Sequence, residues 1–127
     1  MAACVVACST CRFDADSRED SEGLTGGQRL ISALETGIAE DPRFAGVTVE
    51  TVACLWACGE PCVVQLRSPG RTGYIAGRFT PDASAATAIL EFAAAYGESA
   101  DGAVPYRSWP DGVKGHFIAR IPAIDGA

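Results

Sequence analysis

The chemistry open to this chain rests on its six cysteines, five of which fall in two tight groups. Cys8 and Cys11 form a Cys-x-x-Cys pair near the N-terminus, while Cys54, Cys58 and Cys62 repeat every four residues. Thiolate sulfur is a soft ligand, which favours zinc, copper(I) and iron–sulfur clusters over magnesium or calcium. The two groups therefore predict the two halves of one metal or iron–sulfur site.

The second cysteine group is not expected to lie on one continuous helix. One helical turn over Cys54-x-x-x-Cys58 would bring both sulfur atoms to the same side. Gly59 and Pro61 should interrupt a helix before Cys62 is reached. Cys62 is therefore predicted to begin the following strand, where it can still lie near the site.

Two further residues are expected to stand outside the site. Four residues of strand place Cys4 about 13 Å from Cys8, which is too far for both to hold one small cluster. Cys4 is predicted to be a buried apolar thiol. His116 is the only histidine, and it is not an expected ligand because the thiols already suffice for tetrahedral coordination.

The surrounding pattern predicts strands that end at both cysteine groups. The order is β-α-β-β-β-α, followed by an irregular tail: strand 3–7, a helix from a Thr25 cap to about residue 41, strands 47–53, 62–66 and 72–79, and a helix from a Thr80 cap to about residue 96. In the first helix, Thr25 and Gln28 have capping-box spacing, and Leu30, Leu34 and Ile38 form an apolar stripe. In the second helix, Pro81 takes the first helical position and Gly97 ends the helix. Such an order makes a small mixed α/β sheet of thioredoxin-like architecture, with the 54–62 loop in place of one helix. We expect one domain over residues 1–97 and a tail over 98–127 packed on it.

Length and charge narrow the function classes. The chain has 127 residues and a net charge of −6, which predicts one domain and disfavours nucleic acid and anionic membranes as partners. A basic redox protein is the expected partner, and a homodimer is compatible with the sequence. No apolar run approaches the roughly 20 residues of a membrane span, and Met1 to Cys11 lacks the features of an export signal. We expect a cytoplasmic protein whose clustered thiols are ligands or redox groups.

Two rival chemistries stay open at this point. Structural zinc sites favour Cys-x-x-Cys pairs separated by about 12–20 residues, a spacing that this chain does not have. A thioredoxin-type dithiol would explain Cys8 and Cys11 after a strand. It would leave the second cysteine group unexplained, and the predicted helix starts far along the sequence from Cys11. No spacing typical of acid–base or nucleophilic catalysis is recognisable, so we do not expect an enzyme.

The motifs also resemble known families. They are Cys-Ser-Thr-Cys-Arg at 8–12, Cys-Leu-Trp-Ala-Cys-Gly-Glu-Pro-Cys at 54–62, Tyr-Ile-Ala-Gly-Arg at 74–78 and Ala-Arg-Ile-Pro at 119–122. Together they resemble a family of small predicted metal-binding proteins of unknown function, proteobacterial and often encoded near cobalamin genes. The cysteine loops and the aromatic hairpin resemble the thioredoxin-like 2Fe–2S ferredoxins. The resemblance implies a 2Fe–2S cluster on Cys8, Cys11, Cys54 and Cys58, with Cys62 as a spare, substitute or neighbouring thiol.

Three functions follow as hypotheses. The first is a small electron carrier or redox sensor that holds one 2Fe–2S cluster. The second is a metal-binding accessory protein that handles zinc, cobalt or iron in cofactor metabolism. The third is a thiol–disulfide oxidoreductase.

Overall fold

The computed structural model describes residues 3–9, 19, 21–53 and 62–122, and they form one mixed sheet with two helices. The strands are β1 (Ala3–Cys8), β2 (Val47–Val52), β3 (Val64–Arg67), β4 (Gly73–Ala76) and β5 (Phe117–Ile121). The helices are α1 (Gly26–Glu40) and α2 (Ala83–Glu98), with 3₁₀ turns at Pro42–Phe44, Tyr106–Ser108 and Asp111–Val113. The predicted β-α-β-β-β-α order is confirmed.

The sheet topology brings several chain segments to one end. The spatial order is β2-β1-β3-β4-β5; β1 and β2 are parallel, and β3, β4 and β5 each run antiparallel to the strand before them in the sheet. Parallel strands joined through a helix end at the same edge. Because Ala7 pairs with Val64, β3 begins at the edge where β1 ends. The sheet thus gathers the ends of β1 and β2 and the start of β3.

Both helices cover one face of the sheet, where the core lies. They pack against each other and against β1 and β2. The predicted apolar stripe of α1 is confirmed, since Leu30 and Leu34 are buried. In α2, Phe92 and Tyr96 are buried against Tyr74 of β4, whose ring meets theirs edge-on. This core fixes the strands whose ends carry the cysteines.

The C-terminal region differs from its prediction. An irregular tail was expected, but residues 117–121 form β5, which pairs with β4 at the edge of the sheet. Four of its five residues are exposed and the first is half-buried, so the strand carries no alternating hydrophobic pattern that sequence analysis could detect. The division of the chain at residue 97 stays a prediction.

The start of α2 is also corrected. Thr80 was the expected cap, with Pro81 at the first helical position. The cap is Asp82 instead, whose Oδ1 accepts a hydrogen bond from the Ala85 N–H at 2.9 Å. The helix runs on to Glu98 and so includes Gly97, which was expected to end it. Neither helix in the described part of the chain has the length and apolar character that a bilayer crossing requires.

Candidate metal centre

The ends of β1 and β2 are joined directly beside Cys8. The Ser9 N–H donates to the Val52 carbonyl oxygen at 2.9 Å, and the Ser9 hydroxyl reaches the same oxygen at 3.3 Å. The Cys8 thiol donates to the carbonyl oxygen of Ala53 at 3.6 Å. Because Ala53 directly precedes Cys54 in the chain, Cys8 lies against the residue that leads into the second cysteine group.

Cys62 reaches the same end of the sheet just before β3, which begins at Val64 rather than at Cys62 as predicted. It is buried, and its N–H donates to the Phe79 carbonyl oxygen at 3.4 Å. Burial, and to a lesser extent repulsion from Cys8, raises the pKa of the Cys62 thiol to about 12. Because Ala7 pairs with Val64, Cys62 lies close to the end of β1 that carries Cys8. We call this end of the sheet the cysteine edge and define it by Cys8, Ala53 and Cys62.

Helix α1 begins on top of the cysteine edge. A Cβ at Gly27 would overlap the carbonyl oxygen of Cys8, so glycine permits the first turn to sit directly on the end of β1. The predicted capping box is confirmed: the Thr25 hydroxyl accepts from the Gln28 N–H at 3.1 Å, and the Gln28 side chain accepts from the Thr25 N–H at 2.9 Å. The positive end of the helix dipole faces this edge, where it would stabilise a bound negative charge.

Thr25 also ties the helix to β1 itself, because its hydroxyl donates to the Ser9 carbonyl oxygen at 2.6 Å. Thr25→Ala removes both this bond and the helix cap, so we expect the free energy of unfolding to fall by about 1–2 kcal/mol. Urea denaturation measures the change. The matched control is Thr87→Ala in α2, where the hydroxyl only donates to the Ala83 carbonyl of its own helix; a shift within about 0.5 kcal/mol is expected there. Equal losses in the two variants would contradict the double role.

Sequence reasoning missed two aromatic residues at this end of the sheet. The His116 ring stacks on Phe79 with centroids 4.4 Å apart and an interplanar angle of 6°. Its Nδ1 lies 2.9 Å from the Gly77 carbonyl oxygen. Phe79 in turn accepts the backbone bond from Cys62. Since β4 and β5 pair only in the folded sheet, no local sequence signal could have placed His116 here.

The structure describes only some of the predicted ligands. It brings Cys8 and Cys62 together, whereas Cys11, Cys54 and Cys58 lie outside the described residues. Within residues 3–9, 19, 21–53 and 62–122, no group of three or more histidine, cysteine or acidic side chains could hold a metal. The ligand set stays a prediction. Cys8 of the first group and Ala53, which precedes the second group, lie at one edge of the sheet.

Cys4 lies near the other end of β1, and its environment differs from the expected one. It is partly exposed rather than buried among apolar groups, and its thiol donates to Glu50 Oε2 at 3.0 Å. Arg67 binds the same carboxylate oxygen at 2.6 Å. Burial, and next the hydrogen bond to Glu50, raise the pKa of Cys4. Its thiol is therefore held in the protonated form.

The fold belongs to a known architectural class. Over 94% of this chain, and 92% of the other, it matches the structure of a thioredoxin-like [2Fe-2S] ferredoxin from Aquifex aeolicus with a TM-score of 0.58 and 19% sequence identity. The likeness confirms the predicted thioredoxin-like fold. The chain itself belongs to the family described as protein of unknown function (DUF1636), which matches residues 5–123. No curated protein matches it, and the expected link to cobalamin genes stays a prediction.

Proposed function

We propose that this protein holds one 2Fe–2S cluster at the cysteine edge and serves as a cytoplasmic electron carrier or redox sensor, with no bond chemistry of its own. The observation that carries the proposal is the convergence at that edge. The Cys8 thiol donates to the Ala53 carbonyl oxygen, directly before Cys54 in the chain, and the pairing of Ala7 with Val64 brings Cys62 to the same edge. The fold is shared with a protein described as a 2Fe–2S ferredoxin, which supports the same assignment.

The chemistry of the donors fits such a cluster. Thiolates are the usual ligands of 2Fe–2S centres, and the cysteine edge presents buried sulfur beside a helix N-terminus. In this proposal Cys8, Cys11, Cys54 and Cys58 hold the cluster. Cys62 carries a proton that burial holds tightly, so it enters the ligand set only where a metal ion replaces that proton.

The chain's own residues would set how the site works. When bound, the cluster accepts and returns one electron. The burial of Cys8 and Cys62 keeps water from the inner side of the site. The Ser9 and Cys62 N–H groups are already bonded to backbone carbonyls, which holds both cysteine-bearing segments in place. The net charge of −6 would steer a basic redox partner towards the protein.

Anaerobic purification of the untagged protein tests the proposal. We expect a brown protein with about two iron atoms and two acid-labile sulfides per chain, and with visible absorption that dithionite bleaches. A colourless protein that holds one tightly bound zinc ion would overturn it in favour of the metal-binding accessory protein. Metal-free protein whose Cys8–Cys11 pair cycles with a disulfide would overturn it in favour of an oxidoreductase.

One observation favours thiol–disulfide exchange as a second candidate function. The late start of α1 in the sequence argued against a thioredoxin-type dithiol, but in space the first turn of α1 lies directly on Cys8. A helix N-terminus lowers the pKa of a redox thiol in such proteins. Against this, Cys8 is only 4% exposed, whereas a redox dithiol must reach its substrate.

A further inference from the structure

The segment that carries Cys62 is tied to the chain just after β4 by a backbone hydrogen bond. The Cys62 N–H donates to the Phe79 carbonyl oxygen at 3.4 Å. Cys62 is the last residue of the second cysteine group, and the bond from the Ser9 N–H to the Val52 carbonyl oxygen holds the chain just before that group. The Phe79 carbonyl therefore fixes the point at which the second cysteine group returns to the sheet.

This bond lies one residue out of register with the ladder between β3 and β4. Val64 pairs with Ala76, so a regular antiparallel ladder would place Arg78, not Phe79, opposite Cys62. The backbone of Arg78 has a φ of 63°, a left-handed conformation that residues other than glycine rarely adopt. An extra residue in this conformation indicates a β-bulge, which turns the side chains beyond it in new directions. Strained backbone of this kind is concentrated at functional sites.

A second register shift lies on the other side of β4. The ladder between β4 and β5 changes register between Ile75 and Ala76, and beyond it the Gly77 N–H donates to the His116 carbonyl oxygen at 2.9 Å. The His116 side chain also contacts Gly77, since its Nδ1 lies 2.9 Å from the Gly77 carbonyl oxygen. These contacts place the His116 ring on Phe79, with centroids 4.4 Å apart and an interplanar angle of 6°.

Side-chain contacts add to this connection between the end of β4 and the start of β5. Arg78 Nη2 donates at 2.6 Å to the carbonyl oxygen of Gly115, the residue before His116. Phe79 is buried and belongs to the same hydrophobic core as Cys62. Stacked rings and hydrogen bonds both stabilise the arrangement that they hold. A change at His116 should therefore alter the position of Phe79.

We propose that Arg78 and His116 are positioning residues for the second cysteine group. The bulge at Arg78 brings the Phe79 carbonyl opposite the Cys62 N–H, and the His116 ring holds Phe79 in place. The C-terminal strand thus supports a site that lies far from it in the sequence. The anchoring of Cys62 does not require a bound cluster, whereas its effect on the cluster rests on the proposed function.

The rate at which iodoacetamide alkylates Cys62, followed by mass spectrometry of the full chain, measures the anchoring. We expect His116→Ala to raise this rate about tenfold, because the stack and the Nδ1 contact are both lost. His116→Phe keeps an aromatic ring over Phe79 and should stay within about threefold of the parent. A parental rate in His116→Ala, or no recovery in His116→Phe, would overturn the proposal.

Cys8 is the internal reference for this measurement. It is buried as Cys62 is, but its thiol is held by the Ala53 carbonyl oxygen rather than by Phe79. We therefore expect the alkylation of Cys62 to rise more than that of Cys8 in His116→Ala. An equal rise at both thiols would mean that the whole protein is destabilised and would overturn the positioning role.

Arg78→Gly and Arg78→Val form a matched pair that tests the bulge itself. Both substitutions remove the guanidinium and its bond to Gly115, but glycine adopts the left-handed conformation readily and valine resists it. We expect Cys62 to react about tenfold faster in Arg78→Val than in Arg78→Gly. Equal rates in the two variants would mean that the bulge does not position Phe79 and would overturn the proposal.

In protein that holds a cluster, the reduction potential gives a separate readout. We expect His116→Ala to keep iron and sulfide but to shift the midpoint potential, whereas Tyr106→Ala, at an exposed aromatic residue of the C-terminal region, should leave it unchanged. An unchanged potential in His116→Ala would overturn the positioning role. If the purified protein contains no iron or sulfide, the proposed function fails, and the alkylation rates of Cys62 still decide whether His116 anchors this segment.

Discussion

Replacement of Cys8 by serine is expected to abolish the cluster, with iron and acid-labile sulfide falling to background. The Cys8 thiol lies at the end of β1 and contacts the Ala53 carbonyl oxygen at 3.6 Å, which places it beside the segment that leads into Cys54. Serine has nearly the same shape, but its hydroxyl is a hard donor that does not provide a thiolate. Iron and sulfide analysis of anaerobically purified protein, together with the visible spectrum, measures the loss.

Cys4→Ser is the matched control for this prediction, because it makes the same chemical change on the same strand. Cys4 bonds to Glu50 and lies away from the cysteine edge, so this variant should keep full iron and sulfide content. Cys58→Ser is expected to lose the cluster, whereas Cys62→Ser decides between a spare thiol and a ligand. Loss of colour in Cys4→Ser, or its retention in Cys8→Ser or Cys58→Ser, would defeat the assignment.

Sequence patterns correctly predicted the parts of the fold that depend on residues close together in the chain. The Thr25–Gln28 capping box and the buried Leu30 and Leu34 of α1 were predicted correctly, because both depend on residues within one or two helical turns. The position of Cys8 at the end of β1 was also predictable. Thr80 and Asp82 can both cap a helix, and the prediction named Thr80; the Asp82 carboxylate accepts from the Ala85 N–H and is the cap.

The features that sequence reasoning missed depend on contacts between distant segments. β5 escaped notice because an exposed edge strand shows no hydrophobic alternation. Pairing of β5 with β4 places His116 against Phe79. Residue spacing in the sequence could not have predicted this contact. The proximity of Cys62 to Cys8 follows from the antiparallel pairing of β3 with β1, so it required the register of the sheet rather than the cysteine spacing alone.

Gly27 shows how a weak sequence signal can mark a strict packing requirement. The Gly26-Gly27 pair suggests phosphate binding at a helix N-terminus, but without a recognised phosphate-loop pattern that interpretation has little support. The structure gives a different reason for glycine at this position. The first turn of α1 approaches the backbone of Cys8 and Ser9 so closely that a Cβ at Gly27 would overlap main-chain atoms, which cannot rotate aside as a flexible side chain could.

Gly27→Ala is therefore expected to destabilise the protein, although alanine is the better helix former by about 1 kcal/mol. The added methyl group must displace either α1 or the end of β1, and overpacking against backbone should lower the free energy of unfolding by about 3 kcal/mol. Chemical denaturation of both proteins in the same metal state measures the loss. Gly46→Ala is the matched control, because a Cβ there meets nothing within 4 Å, and it should shift stability by less than about 0.5 kcal/mol.

The displacement of α1 or of the end of β1 would also move Cys8 relative to Ala53, so Gly27→Ala should lose iron and sulfide while Gly46→Ala keeps them. A Gly27→Ala protein as stable as the parent would show that α1 does not rest on the end of β1.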